Sequence, residues 1–259
     1  MASALARVLL FWIATMVILT AVGAGAGALG DRSGIAIGAG ASLLTFGLTI
    51  LFIRWERKSP RDFGFQVTWR SPMLFVLGVA VGFGLVGAHV ALTALVAPVH
   101  WVRIRQWHLW RVLLMSVVFL LLATREELAF RGYPLRKLAS DLGPASAQLI
   151  IAALFAIEHA IGGASWSNAI FGAGLGSIVF GMAALATRGL AMPIGLHAAY
   201  NLADWASGGK GDDGLWRIEV APGFGDRAQF ISMSLYIAVM SLAALAIWRW
   251  GSLTARDEG

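Results

Sequence analysis

Three groups of polar residues interrupt otherwise apolar stretches of this sequence: Glu126, Glu127 and Arg131; then Glu158 and His159; then His197, Asn201 and Asp204. Carboxylates and imidazoles carry protons, a carboxamide can donate to a developing oxyanion, and two histidines with a glutamate make a catalytic zinc set. A charge at bilayer depth costs about 3 kcal/mol or more, so it is seldom placed there without a task. The adjacent Glu126 and Glu127, in the run Arg125-Glu126-Glu127-Leu128-Ala129-Phe130-Arg131-Gly132, therefore mark where chemistry is to be sought.

Spacing sorts these residues. Glu127 and Arg131 stand at i and i+4, which favours an ion pair along their own helix and leaves Glu126 on another azimuth. Glu127 is thus expected to support and Glu126 to react. His197, Asn201 and Asp204 follow i, i+4 and i+7 and share one helical face. Glu158 lies about 100° around its helix from His159 and is secondary. His89 has no partner at helical spacing and reads as packing, and Asp204 is left out of the reacting set. No His-x-x-x-His pair is present, so zinc on Glu126, His159 and His197 stays open.

Depth can be compared through the turns. Gly143-Pro144 reads as a hairpin, with Gly132 to Leu142 continuing the fourth helix and Pro144 opening the next. Glu126 stands 17 residues before Gly143 and His159 stands 16 after it. Both lie roughly 25 Å along antiparallel neighbours, at one level. A second hairpin at Arg188-Gly189 places His197 about 12 Å into its own helix.

The elements that must hold these residues are membrane spans. Of 259 residues 58% are hydrophobic and 13% charged, with no long polar stretch beside the apolar ones, and mean hydropathy is +0.75. Apolar runs near 8–28, 34–54, 72–98, 109–131, 145–161, 168–187, 190–206 and 229–249 predict an all-α polytopic bundle of about eight spans. Residues 1–259 read as a single integral-membrane domain, with a motif-bearing core over 109–205. The first run is read as an uncleaved anchor rather than a signal peptide, because further spans follow it.

The net charge of +6 carries no basic patch interleaved with stacking aromatics, so nucleic acid is excluded as a partner. Counted by alternate loops, 13 of the 20 Lys and Arg fall on the side of both termini, which the positive-inside rule places in the cytoplasm. Having no cysteine, the chain has neither disulfides nor a thiolate nucleophile. Gly78 with Gly82, Gly82 with Gly87, and Gly172, Gly174 and Gly176 read as small residues for close helix approach. Trp101, Trp107 and Trp110 read as interfacial anchors, and Ser207 to Ala228 as a solvent-exposed connection.

The stretches Glu126-Glu127-Leu-Ala-Phe-Arg131, Phe155-Ala-Ile-Glu-His159 and His197-Ala-Ala-Tyr-Asn201 resemble the EExxxR, FxxxH and HxxxN motifs of the CPBP family. That family groups type II CAAX prenyl endopeptidases with bacteriocin-processing, Abi-like and immunity proteins. The resemblance runs from about Leu109 to Trp205. It implies that Glu126 with His159 activates a water for attack on a peptide carbonyl, while His197 and Asn201 bind the oxyanion or help hold a metal. Glu127 and Arg131 would shape the site.

The resemblance and the composition together imply an intramembrane endopeptidase of the bacterial cytoplasmic membrane, with lipids as surroundings and a membrane-associated, CAAX-type prenylated protein as a substrate class. A non-catalytic binding or bacteriocin-immunity protein is the alternative from another class. A proton-coupled transporter is disfavoured, since the polar residues cluster in the fourth to seventh spans without an internal repeat.

Overall fold

A computed structural model describes residues 2–257. Helices α1 (Ala2–Ala26), α2 (Ser33–Trp55) and α3 (Ser71–Val96) lead into strand β1 (Val99–Arg103). Helix α4 (Leu109–Glu127) passes through a π-helical turn (Leu128–Gly132) into α5 (Tyr133–Leu142), and α6 (Pro144–Ile161) returns. A second π-helical turn (Asn168–Gly174) opens α7 (Leu175–Ala186), followed by α8 (Ala191–Ala206), strand β2 (Trp216–Val220) and α9 (Gly225–Asp257). Every apolar run expected to span is helical, and the fold is an all-α polytopic bundle. Among the described residues, six segments are long and apolar enough to cross a membrane. The two expected spans outside that set are α4, which carries Arg111, Arg125, Glu126 and Glu127, and α8, which has only 16 residues. Polarity is thus spent on the helices that bear the motifs.

The turns that fix depth are present. Gly143 adopts φ +82°, a region that suits glycine, and Pro144 opens α6. In the second hairpin it is Arg188, not Gly189, that turns left-handed, at φ +52°. The expected continuous helix from 109 to 142 is instead broken at Gly132, where ψ is −107°. Pro134 explains this: it has no N–H for the Phe130 carbonyl four residues back, and the ladder widens into a π turn ahead of it.

Helices α3 and α8 make the closest approach of the bundle. A Cβ on Gly78 would run into the Met192 carbonyl, one on Gly82 into the Leu196 carbonyl, and one on Gly195 into the Phe75 carbonyl. The expected role of Gly78 and Gly82 is therefore met, and it seats the His197 helix. Gly87 and Gly172 meet nothing within 4 Å; the Gly172 carbonyl instead accepts the Tyr236 hydroxyl at 2.7 Å. An aromatic cluster of Phe11, Phe52, Phe63 and Tyr133 joins α1, α2 and α5.

Two connections differ from expectation. β1 and β2 pair antiparallel, Val99 opposite Val220 and Arg103 opposite Trp216. Trp101 thus lies in a strand, where its Nε1 donates to the Ser207 carbonyl at 2.9 Å. Asp213, expected to be merely solvated, accepts from Arg111 at 2.7 Å and from Trp205 Nε1 at 3.1 Å. At the opposite end Glu56 collects Arg7 at 2.8 Å, Tyr133 at 2.9 Å and Lys137 at 3.4 Å, fastening α1, α2 and α5 beside the Gly143 turn.

Candidate active site

The polar residues of α4, α6 and α8 gather inside the bundle. Glu127 is fully buried, as is Arg131, and the expected i, i+4 pair joins Arg131 Nη1 to Glu127 Oε1 at 3.3 Å. Arg131 is also held from α7: its Nη2 donates to Ser177 Oγ at 2.7 Å and to the Ser177 carbonyl at 3.0 Å. Its guanidinium carbon lies 4.8 Å from the Phe155 ring and 5.5 Å from the Phe180 ring. Cation–π contact and a neutralising carboxylate together offset the cost of burying this charge.

The shorter bond at Glu127 Oε1 reaches across the bundle, to His197 Nδ1 at 2.9 Å. A carboxylate only accepts, so Nδ1 bears the proton and Nε2 points the other way. What it meets is Glu126 Oε2, at 3.6 Å. His197 is therefore set between the two glutamates, with Phe180 stacked on its ring at 4.2 Å and 18°. At 3.6 Å His197 Nε2 and Glu126 Oε2 are close enough to interact electrostatically but are not joined by a hydrogen bond.

Glu126 differs from its neighbour in exposure and in bonding. Its side chain is 20% exposed against none for Glu127. Where Glu127 is held through Oε1 by Arg131 and His197, Glu126 accepts no hydrogen bond from any described residue. The Oε2 atoms of both are buried without a partner among the described residues. His159 bears on the Glu126 carboxylate electrostatically, together with His197, Arg125 and Arg131. Nδ1 of His159 donates to the Phe155 carbonyl at 2.9 Å, which leaves Nε2 as its proton acceptor. Phe155 packs against that ring at 4.4 Å. Asn201 stands half-buried one turn beyond His197 on the same face of α8.

In both histidines Nδ1 is anchored and Nε2 is presented, the arrangement that orients a metal-binding imidazole. Even so, no three His, Asp or Glu side chains among the described residues converge closely enough to hold a metal ion. The donor chemistry suits zinc, and the spacing as it stands does not preassemble a zinc site.

A second ion pair was not anticipated. Arg125 and Glu158, both buried, bond to each other, and Arg125 Nη2 also donates to the Thr15 carbonyl of α1 at 3.4 Å. Each is the chain neighbour of a candidate reacting residue, Glu126 or His159, so the pair ties α4 to α6 at the level of the site. Adjacency of charge to candidate was the available signal. Ser177 and Phe180, by contrast, carry none in an apolar helix. Asp204 pairs with Lys210 at 3.6 Å, and His89 with the Ser232 carbonyl at 3.0 Å, both apart from the glutamates.

Residues 106–203 match the family described as type II CAAX prenyl endopeptidase Rce1-like. No curated protein matches the chain. Helices α1 to α3 and α9 lie outside the matched stretch, which holds all three motifs and the apolar helices between them. Over that stretch the chain is similar to the type II CAAX prenyl endopeptidases, in keeping with the resemblance of its three motifs to those of the CPBP family.

Proposed function

We propose that this integral membrane protein hydrolyses a peptide bond of a membrane-associated protein, with water activated by Glu126 and His159. The observation that carries the reading is the Glu126 carboxylate, which lies 3.6 Å from an imidazole and, unlike Glu127 and Glu158, accepts no hydrogen bond from any described residue, its Oε2 being buried. Buried acceptors are almost always satisfied, and exceptions gather where chemistry is done.

In this mechanism Glu126 takes a proton from a water whose second hydrogen is steadied by Nε2 of His159. The hydroxide oxygen bonds to the carbonyl carbon, and the carbonyl π electrons pass to oxygen. Nε2–H of His197, oriented by Glu127, and the Asn201 carboxamide donate to that oxyanion. Collapse breaks the C–N bond as Glu126 returns its proton to the departing amine, giving an acid and an amine. Arg131 and Ser177 keep Glu127 in place.

The substrate class that the similarity of residues 106–203 to type II CAAX prenyl endopeptidases supports is a CAAX-type lipidated protein. Both termini and the end carrying the Gly143 turn face the cytoplasm of a bacterial cell in this reading, which rests on the Lys and Arg of the short connections there.

The test is cleavage of a panel of lipidated and membrane-anchored peptides by purified wild-type protein and by Glu126→Gln, with metal content measured alongside. The expected result is turnover by the wild type without stoichiometric metal and none by the folded variant. Full activity of Glu126→Gln refutes the assignment, and activity that tracks bound zinc replaces the metal-free mechanism.

A further inference from the structure

Strands β1 and β2 form a ribbon whose side chains alternate between its two faces. Directly opposite residues share a face, so Val99 with Val220, Trp101 with Ile218 and Arg103 with Trp216 lie on one side. His100 and Val102, with Glu219 and Arg217, lie on the other. There Arg217 Nε donates to Glu219 Oε1 at 2.9 Å. One face is apolar but for Arg103, and the opposite face carries the ion pair.

The apolar face is turned toward the helices. Val99 is buried, Trp101 Nε1 donates to the Ser207 carbonyl just past α8, and a Cβ on Gly208 would strike the Trp216 carbonyl. Even so, Trp216, Ile218 and Val220 remain 40%, 37% and 42% exposed. A contiguous apolar patch of this kind marks contact with another protein or with a membrane. Chain length places it at the membrane boundary. Val99 follows the end of the spanning helix α3 by three residues, at most about 10 Å of chain. Past β2 the Phe224 N–H bonds back to the Ala221 carbonyl at 3.0 Å, and the spanning helix α9 begins at Gly225. Leu95 and Val96 at the end of α3 are exposed, as are Phe224 and Phe230 at the start of α9. The lipid-facing surface of two spans therefore runs up to the ribbon.

We propose that the ribbon docks on the surface of its own bilayer, with Trp216, Ile218 and Val220 entering the boundary between headgroups and acyl chains and Arg217 and Glu219 left in water. Tryptophan favours that layer, because its ring is apolar and its N–H can still find an acceptor. Each strand pairs along one edge only, and open sheet edges do not occur in the hydrocarbon region. The ribbon therefore rests at the interface and does not sink through it. Arg103, at the far end of the apolar face, has a stem long enough to lift its guanidinium to the headgroups. A second copy or a soluble partner would have to stand where the bilayer extends, since the exposed apolar face looks along the bundle and not away from it.

The proposal does not depend on proteolysis and is tested without it. The sequence has no cysteine, so a single cysteine placed along β2 carries a spin label without background. Each variant is reconstituted in vesicles of equal phosphatidylglycerol and phosphatidylcholine. Collision of the label with oxygen, which concentrates in lipid, is compared with collision with a water-soluble nickel chelate. The oxygen-to-nickel ratio is expected to alternate along the strand, high in Trp216→Cys, Ile218→Cys and Val220→Cys and low in Arg217→Cys and Glu219→Cys. Wild type, with nothing substituted, gives a second reading. A phospholipid carrying a diazirine on its acyl chain close to the glycerol is expected, after illumination, to modify Trp216, Ile218 and Val220 and to spare Arg217 and Glu219, as read by mass spectrometry of the peptides. A ratio that is low at all five positions, or that alternates in the opposite phase, overturns the proposal. So do labels at the three apolar positions that are shielded from both reagents and broadened by a neighbouring copy, which would mark an interface between copies. Wild type without a lipid adduct on β2 overturns it as well.

Discussion

Removing one partner of the Arg125–Glu158 pair should do far more than break a hydrogen bond between helices. In Glu158→Met the Arg125 guanidinium stays 1% exposed, with only the Thr15 carbonyl at 3.4 Å to receive it. An uncompensated buried charge costs about 3–5 kcal/mol, whereas side-chain hydrogen bonds between membrane helices average about 0.6. The double variant Arg125→Met/Glu158→Met removes both charges and keeps the volume, so it should regain most of that loss. Unfolding in bicelles by a denaturing detergent, run as a double-mutant cycle, measures the difference. Activity should separate from stability. The pair ties α4 to α6 beside Glu126 and His159, and slackening that tie should lower kcat about 10–100-fold in the stable double variant while KM holds. A single-variant cost below about 1 kcal/mol would refute the reasoning, because the pair would then be solvated. Wild-type kcat in the double variant would refute its positioning half.

Glu127→Gln leaves His197 Nδ1 an acceptor but removes the charge that orients it, and kcat should fall about 10–100-fold as for other supporting carboxylates, read in the same cleavage assay. Gly82→Val puts a branched side chain into the Leu196 carbonyl and must push α8 from α3; lowered melting temperature and lost activity are expected together. Glu56, at the end of α2, is held below the ordinary carboxylate value: burial opposes ionisation, but Arg7, Tyr133 and Lys137 outweigh it. A depressed carboxyl contributes stability that is full above its unfolded value and lost as the pH falls through the folded one. Wild type should therefore lose stability on acidification below about pH 4 more steeply than Glu56→Gln, as followed by thermal melts across pH.

What could be read from the sequence was what a single helix decides. The Glu127–Arg131 pair follows from i, i+4 spacing, and the common level of Glu126 and His159 follows from a fixed rise counted from the Gly143 turn. What could not be read was azimuth. Whether Glu127 or Glu126 holds the protonated side of His197, and that Glu158 reaches Arg125, depends on how each helix is rotated against its neighbours. No local spacing encodes that. The π turn was hidden for a related reason. Pro134 announces a disturbance, but whether the ladder kinks, stops or widens is settled by packing. The β1–β2 ribbon pairs segments more than a hundred residues apart, and only register in space reveals it. Gly172 looked like a packing glycine and is instead a place where a widened turn offers its carbonyl to Tyr236.

The distribution of satisfied and unsatisfied charge points to where function lies. Four charges sit on α4, a helix that would insert more readily without them, and buried ion pairs seldom surpass apolar packing in stability. Stability alone therefore does not account for them. Arg131 and Glu127 are closed into a set with Ser177, Phe155 and Phe180, and Arg125 with Glu158 and Thr15 into another. Both sets tie neighbouring helices together and neither leaves its charge unbalanced. Glu126 is the exception: it stands between the two sets, with no ion-pair partner of its own other than an imidazole at 3.6 Å. A chain under no demand at this position could place leucine there and lose nothing in packing. That a carboxylate stands there, flanked by two pairs that fix its helix and its facing histidine, is the physical ground for assigning the reacting group to Glu126.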